Sequence, residues 1–100
     1  MTFNFEPELL AYMEKRKRKN ISVEVASSNA SDFEVTEIYL RLVTDDFASY
    51  LIRKKRYRSI HVPEGQVLLP PYHLVYEDTI TFGCKNRWFL HFLTYKGISL

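Results

Sequence analysis

The chain is poor in cysteine and glycine, with one Cys and three Gly among 100 residues. Its lone Cys84 cannot form an internal disulfide, and no zinc-ligand spacing accompanies it, so we expect a cytoplasmic protein. No apolar run approaches the roughly 20 residues that span a bilayer. The first residues lack the order of a signal peptide, and we expect a soluble protein with no membrane partner. Gly65, Gly83 and Gly97 are too scattered to form a glycine-rich phosphate loop.

The charge is nearly balanced overall but unevenly distributed. The 14 Lys and Arg residues against 12 Asp and Glu give a net charge of +2, which does not by itself indicate nucleic-acid binding. Most of the basic residues lie in two runs, KRKRK at positions 15–19 and RKKRYR at positions 53–58. Whether the two runs share one surface is therefore the question that the sequence raises.

Two explanations of these basic runs are open. In one, they are solvated surface, with the first run at a helix C-terminus where cations interact favourably with the helix dipole. In the other, they contact the phosphates of a nucleic acid, which would relieve the repulsion between adjacent charges, and Tyr57 stacks on a base. The residues predicted for that contact are Lys15, Arg16, Lys17, Arg18, Lys19, Arg53, Lys54, Lys55, Arg56, Tyr57 and Arg58.

Hydrophobic residues make up 46% of the chain and aromatic residues 15%, which predicts one folded domain over residues 1–100. A helix should begin at Pro7, because proline is favoured at the first helical position and Leu9, Leu10 and Met13 recur at helical spacing. We expect it to reach about 17–19. Strands are predicted at 2–5, 21–25, 33–43, 57–62, 79–82 and 87–95, with a polar loop at 27–32 and a turn at 83–86.

This order predicts an α+β fold, in which the N-terminal amphipathic helix packs on a mixed, mostly antiparallel β-sheet. Thr44 is expected in a turn or as a helix N-cap, and residues 47–52 fit either a strand or a short helix. The segment Trp88–Tyr95 is apolar on both faces. A strand of this kind is either central in the sheet, which we favour, or leaves one face for a homodimer contact through 88–95.

The order of elements resembles the HesB-like fold of the A-type iron–sulfur carriers. The amphipathic helix is followed by ISVEV and a polar loop, and the later part runs SIHV, a proline-rich crossing, TITF, a turn and RWFLHFLTYKG. The chain looks most like the small bacterial branch with a Cys-Cys or Cys-selenocysteine motif, whose members end in a hydrophobic strand followed by Lys-Gly. The resemblance implies the scaffold of that superfamily.

The metal-binding residues of the family are absent from this sequence. Ser27 and Ser28 stand where that branch carries its cysteine pair, and the chain ends in 97–100, GISL, without a Cys-x-Cys. Serine hydroxyls stay protonated near neutral pH and are poor iron ligands beside thiolates. The resemblance therefore implies a HesB-like domain that has lost its metal-ligand cysteines, and cluster carriage does not transfer to it.

No motif for catalysis is present, and we predict no catalytic residue, metal ligand or cofactor. His61, His73 and His91 have no local metal spacing, although His61 and His91 could lie on neighbouring strands. Lys85 and Arg87 could lower the pKa of Cys84, but an inert thiol fits better. We predict a non-enzymatic scaffold or interaction domain with a protein partner; the alternatives are a nucleic-acid-binding accessory protein and an iron–sulfur or metal-related protein.

Overall fold

A computed structural model describes the backbone of residues 1–30 and 33–100 and the side chains of residues 1–27 and 36–100. The described residues form seven strands and two helices. In chain order these are β1 (Thr2–Phe5), α1 (Pro7–Arg16), β2 (Asn20–Ala30), β3 (Phe33–Val43), α2 (Asp45–Lys54), β4 (Arg58–Val62), β5 (Gly65–Leu69), β6 (Val75–Arg87) and β7 (Leu90–Ser99). The α+β class expected from the sequence is confirmed.

The strands form two sheets rather than the one that the sequence suggested. A three-stranded sheet has the order β1-β6-β7, and a four-stranded sheet has the order β3-β2-β5-β4. Each sheet is mixed: β1 runs parallel to β6 and β2 runs parallel to β5, whereas the remaining pairs are antiparallel. The edge strands are β1 and β7 in the smaller sheet and β3 and β4 in the larger one, so the outer edges of β3 and β7 are among those left unpaired.

The main core lies where α1 and the two sheets meet. Phe82, on the central strand of the smaller sheet, is fully buried and packs against the rings of Phe3 and Phe5, with centroids 5.8 Å and 5.6 Å away. Leu9 and Met13 bring the apolar face of α1 to the same core. The inward side chains of the larger sheet complete it, with Ile21, Val23, Leu40, Val67 and Leu69 buried.

A smaller core lies between α2 and the larger sheet, and comprises Val43, Ala48, Leu51, Tyr57 and Leu68. Leu68 belongs to it while its neighbours Val67 and Leu69 belong to the main core, as expected when successive strand residues point to opposite faces. Thr44 is the N-cap of α2, and its Oγ1 accepts a hydrogen bond of 3.2 Å from the Phe47 amide. The segment 47–52, ambiguous in the sequence, is thus helical.

The prediction of a polar loop at 27–32 was wrong for most of that segment. β2 continues to Ala30, and its backbone pairs with β3, with Ala26 opposite Glu37 and Ser27 opposite Thr36. The register of the long β2–β3 hairpin overrides the local turn preference of serine and asparagine, because each added pair satisfies further backbone groups. Residues 31–32 of that prediction lie outside the described residues.

The turn predicted at 83–86 was also wrong. β6 runs through Gly83 to Arg87, and the chain reverses at Trp88 and Phe89 before β7 begins at Leu90. A side chain at Gly83 would collide with Glu6 and Thr94, so this glycine serves close packing rather than a turn. The strand predicted at 87–95 accordingly begins later, and β7 lies at the edge of its sheet instead of at the centre.

Candidate arginine–aromatic cleft

The first basic run is helical only at Lys15 and Arg16, the last two residues of α1. Lys17 has left-handed backbone angles, with φ 55° and ψ 44°, and the amides of Lys17 and Arg18 donate to the carbonyls of Glu14 and Met13. This Schellman arrangement ends the helix at Arg16 and turns the rest of the run towards β2. The Lys19 carbonyl then accepts a 2.9 Å hydrogen bond from the amide of Gln66, so the run ends beside the start of β5.

The second basic run lies where α2 ends. Arg53 and Lys54 occupy its last turn, and Arg56 has a left-handed φ of 60°. Both runs therefore place cations at helix C-termini, where the partial negative charge of the helix dipole favours them. Acidic residues occupy the first turns correspondingly, with Glu8 in α1 and Asp45 in α2.

Tyr57 is unsuited to the base stacking that the sequence suggested, because its side chain is only 8% exposed. Its hydroxyl donates to Glu24 Oε2 at 2.6 Å, and Ser22 Oγ donates to the other oxygen of that carboxylate at 2.6 Å. Burial, followed by the bond to Glu24, raises the pKa of Tyr57 well above its ordinary value. Tyr57 is therefore a structural residue of the smaller core.

The two basic runs lie at opposite ends of the same elements. Lys19 is hydrogen-bonded to Gln66 near the start of β5, whereas Arg58 is paired with Leu69 at the end of β5. Gln66 and Leu69 are three residues apart, which is about 10 Å along the strand. The first run likewise borders the α2 N-terminus at Asp45, and the second follows its C-terminus about 15 Å away. The runs therefore do not adjoin but lie about 10 to 15 Å apart along these elements.

Two arginines of the first run instead line a cleft with residues that the sequence had not singled out together. This arginine–aromatic cleft has a volume of about 450 Å³ and lies between α1, β3 and β7. Its lining residues are Tyr12, Arg16, Arg18, Tyr39, Leu40, Arg41, Leu42, His91, Phe92 and Leu93. Three guanidinium groups and four aromatic or imidazole rings thus border one opening, which suits a ligand that carries both negative charge and flat rings.

The edges of two sheets form the walls of this cleft. Consecutive residues of β3 (39–42) and of β7 (91–93) line it, although side chains alternate between the faces of a strand. The cleft therefore follows the outer edge of each strand, where part of the backbone N–H and C=O groups point away from the neighbouring strand. An extended ligand lying between β3 and β7 would meet backbone hydrogen-bonding groups as well as the side chains.

Several contacts orient the side chains around the cleft. The Arg41 guanidinium lies 4.8 Å from the centre of the Phe47 ring, a cation–π contact that connects it to α2. The rings of Tyr12 and His91 stack with centroids 4.4 Å apart and planes inclined by 24°. Nδ1 of His91 is hydrogen-bonded to Oδ1 of Asn86, so the imidazole joins α1 to the β6–β7 hairpin. Both rings are therefore partly organised before any ligand is present.

The other candidate groups of the sequence remain apart from this cleft. Cys84 is buried, and desolvation together with the nearby Glu8 carboxylate raises the pKa of its thiol, opposite to the effect expected from Lys85 and Arg87. His61 lies on β4 and His91 on β7, in different sheets, so they are not on neighbouring strands. Across the described residues, no three His, Cys, Asp or Glu side chains are grouped to hold a metal ion, and neither described helix is long and apolar enough to cross a membrane.

No protein-family model, curated protein or solved structure matches the chain. The resemblance to the HesB-like superfamily consequently stays a prediction from element order. Sequence reasoning found Arg16 and Arg18 through their charge but missed Arg41, Tyr12 and the aromatic part of the cleft. Alternation along β3 could have placed Tyr39 and Arg41 on one face, yet the approach of β3 to β7 is a tertiary contact without a local signal.

Proposed function

We propose that the chain is a non-enzymatic binding domain that holds single-stranded nucleic acid in the arginine–aromatic cleft. The observation that carries the proposal is the presence of Arg16, Arg18 and Arg41 around one opening with the Tyr12–His91 stack. Proteins that bind single strands combine cations that track the phosphates with rings on which bases stack. A cleft of about 450 Å³ suits an unpaired base, whereas a duplex keeps its bases stacked within the helix.

The exposure of the cleft residues agrees with this proposal. Arg16, Arg41 and His91 are exposed and Arg18 is half-buried, so the guanidinium groups can reach a ligand while they remain positioned by α1 and β3. The edges of β3 and β7 add backbone donors, which are common contacts to phosphate and sugar oxygens. A non-enzymatic role is part of the proposal.

The experiment compares three labelled ligands with the full chain at low salt: a mixed single-stranded oligonucleotide, the corresponding duplex and an acidic peptide. We expect the single strand to bind most tightly. R16Q/R18Q should weaken it by about 10-fold or more, since each phosphate contact contributes to the affinity. The matched control is R53Q/K54Q, which also removes two cations from a helix C-terminus and should bind as the original chain does. Preference for the acidic peptide would instead indicate strand addition to the β3 or β7 edge.

A second candidate function is a protein-interaction domain that forms a homodimer through residues 88–95. It is favoured by the edge position of β7 and by the exposure of Phe92, which is 48% exposed. Antiparallel pairing of β7 with its copy would cover both edges. Sedimentation equilibrium of the chain alone tests this function: a mass that stays monomeric at high micromolar concentration would exclude it.

The HesB-like scaffold and a cytoplasmic location stay part of the proposal, and the iron–sulfur alternative stays open to a direct test. The order of helix, ISVEV strand and closing hairpin supports the scaffold. Ser27 and Ser28, which stand in place of cysteines, argue against cluster binding. Elemental analysis of the chain purified without oxygen, followed by its visible spectrum, shows whether the protein carries an iron–sulfur cluster. A colourless, metal-free folded protein would exclude the iron–sulfur alternative.

A further inference from the structure

The tip of the β6–β7 hairpin exposes large apolar side chains. Trp88 and Phe89 form the reversal and are 92% and 94% exposed, and the adjacent Leu90 is 61% exposed. Trp88 also has a left-handed φ of 60°, which a bulky residue rarely adopts and which glycine or asparagine would adopt at lower cost. Exposed apolar groups concentrated at one place on a small domain indicate a surface that contacts a partner.

The charge around this tip restricts the partner. From Gly83 to the last residue the sequence contains Lys85, Arg87 and Lys96 but no Asp or Glu. Lys85 and Arg87 are exposed and border a recess of about 620 Å³ together with Asn86 and Phe92. Rings flanked by cations, in a segment that carries no acid of its own, complement a ligand that presents flat apolar surfaces and negative charge together.

The tip is continuous with the arginine–aromatic cleft. Phe92 lines both the cleft and the recess, and it is paired with Lys85 across the hairpin. His91 is stacked on Tyr12 in the cleft and hydrogen-bonded to Asn86 in the recess. From Phe92 to Phe89 the hairpin extends about 10 Å, the length of about three stacked nucleotides at 3.4 Å each.

We propose that the hairpin tip is a second base-stacking subsite for the same single strand, in which Trp88 and Phe89 stack on bases and Lys85 and Arg87 contact phosphates. This inference rests on the proposed function, because it extends that ligand from the cleft. A strand long enough to fill the cleft and then pass Phe92 would reach both subsites, whereas a short one would fill the cleft alone. The affinity should therefore rise with length until the tip is covered.

Trp88 is the only tryptophan of the chain, so its fluorescence reports on the tip directly. The full chain is titrated with oligothymidylates from two to about 16 nucleotides, a range that extends below and through the site sizes of about 4–16 nucleotides of single-strand binders. We expect the longer strands to quench Trp88 emission and the shortest ones to bind without quenching. W88A and F89A should each weaken long strands by about 5-fold to 150-fold, the range that corresponds to loss of one stacked base, and leave the shortest strands unchanged.

Matched variants separate this inference from the proposed function. R16Q/R18Q should weaken short and long strands alike, whereas Y72A, which removes another exposed ring outside the cleft and the tip, should weaken neither. If short strands bind and W88A binds long strands like the original chain, the tip subsite is refuted and the cleft stands. If no strand of any length binds, both proposals are refuted. Melting temperatures of all variants show that they are folded.

Two further measurements test the other occupants of the tip. A blue shift of Trp88 emission with vesicles containing phosphatidylserine, without quenching by strands, would assign the tip to an anionic lipid surface and overturn the inference. A blue shift that grows with protein concentration, without ligand, would assign it to a second copy of the chain and also overturn the inference. Emission that responds to long strands alone supports the subsite.

Discussion

The replacement Y57F tests the conclusion that Tyr57 is structural. It removes one hydroxyl that donates to Glu24 Oε2 at 2.6 Å and leaves the ring in the smaller core. A hydrogen bond to a charged acceptor contributes about 1.5–3 kcal/mol. Glu24 keeps its hydrogen bond from Ser22. Because Glu24 is only half-buried, water can replace part of the hydrogen bond that the Tyr57 hydroxyl made. We therefore expect Y57F to lower the free energy of unfolding by about 1.5 kcal/mol at neutral pH.

The size of this effect should depend on pH in one direction. In the unfolded chain Tyr57 ionises near pH 10, whereas burial and the bond to Glu24 raise its folded pKa well above that value. Below pH 10 both states hold the proton and the contribution is constant. Above pH 10 the unfolded state binds fewer protons than the folded state, so this contribution decreases as pH rises. The difference between the original chain and Y57F should therefore shrink, by up to about 1.4 kcal/mol per pH unit.

Urea denaturation of both proteins at neutral pH and at about pH 11 measures this difference. Comparison with Y57F is necessary because burial also raises the pKa of Tyr76, which adds its own alkaline loss of stability to both proteins. Y50F is the control, since Tyr50 is 44% exposed and its hydroxyl should matter by less than about 0.5 kcal/mol. A difference of zero at neutral pH, or one that does not change up to pH 11, would refute the reasoning. Nucleic-acid binding by Y57F should be unchanged.

Three further predictions concern helix ends and the thiol. K17G should be about 1 kcal/mol more stable than K17A in urea denaturation, because both lack the charge and only glycine accepts the left-handed φ of 55° without strain; equal stabilities would contradict the helix end described. T44A should lower the free energy of unfolding by about 1 kcal/mol and T44S by much less, because serine keeps the cap on the Phe47 amide; equal losses would contradict a capping role. Cys84 should react with Ellman's reagent far more slowly than a free thiol until urea unfolds the chain, because burial excludes the reagent and raises the pKa of the thiol; rapid reaction of the folded chain would show that the thiol is accessible.

The start of α1 and the strand β3 could be predicted because their signals are local. Pro7 at the first helical position and the spacing of Leu9 and Met13 indicate a helix independently of what it packs against. The end of α1 was harder to predict, since nothing about Lys17 favours the left-handed conformation that it adopts. That conformation is stabilised by the path into β2 and by the contact of Lys19 with β5, which are not local.

The position of the final hairpin turn was predicted wrongly because of a glycine. The segment around Gly83 looked like a turn, but Gly83 lies within β6, where Glu6 and Thr94 leave no room for a side chain. The reversal instead uses Trp88 and Phe89, whose composition is typical of a strand. The arginine–aromatic cleft was equally inaccessible to sequence reasoning, because Arg18 and Arg41 are far apart in the chain and line one opening only in the folded structure.

The salt dependence of single-strand binding tests the central claim most directly. For single strands the slope of log affinity against log salt is about −0.7 per phosphate contact, so for a strand short enough to fill the cleft alone the three cleft arginines predict a slope of about −2. R16Q, R18Q and R41Q should each reduce its magnitude by about 0.7, whereas R53Q/K54Q at the end of α2 should leave it unchanged. A slope that falls with R53Q/K54Q and not with the cleft variants would contradict the assignment of binding to the arginine–aromatic cleft.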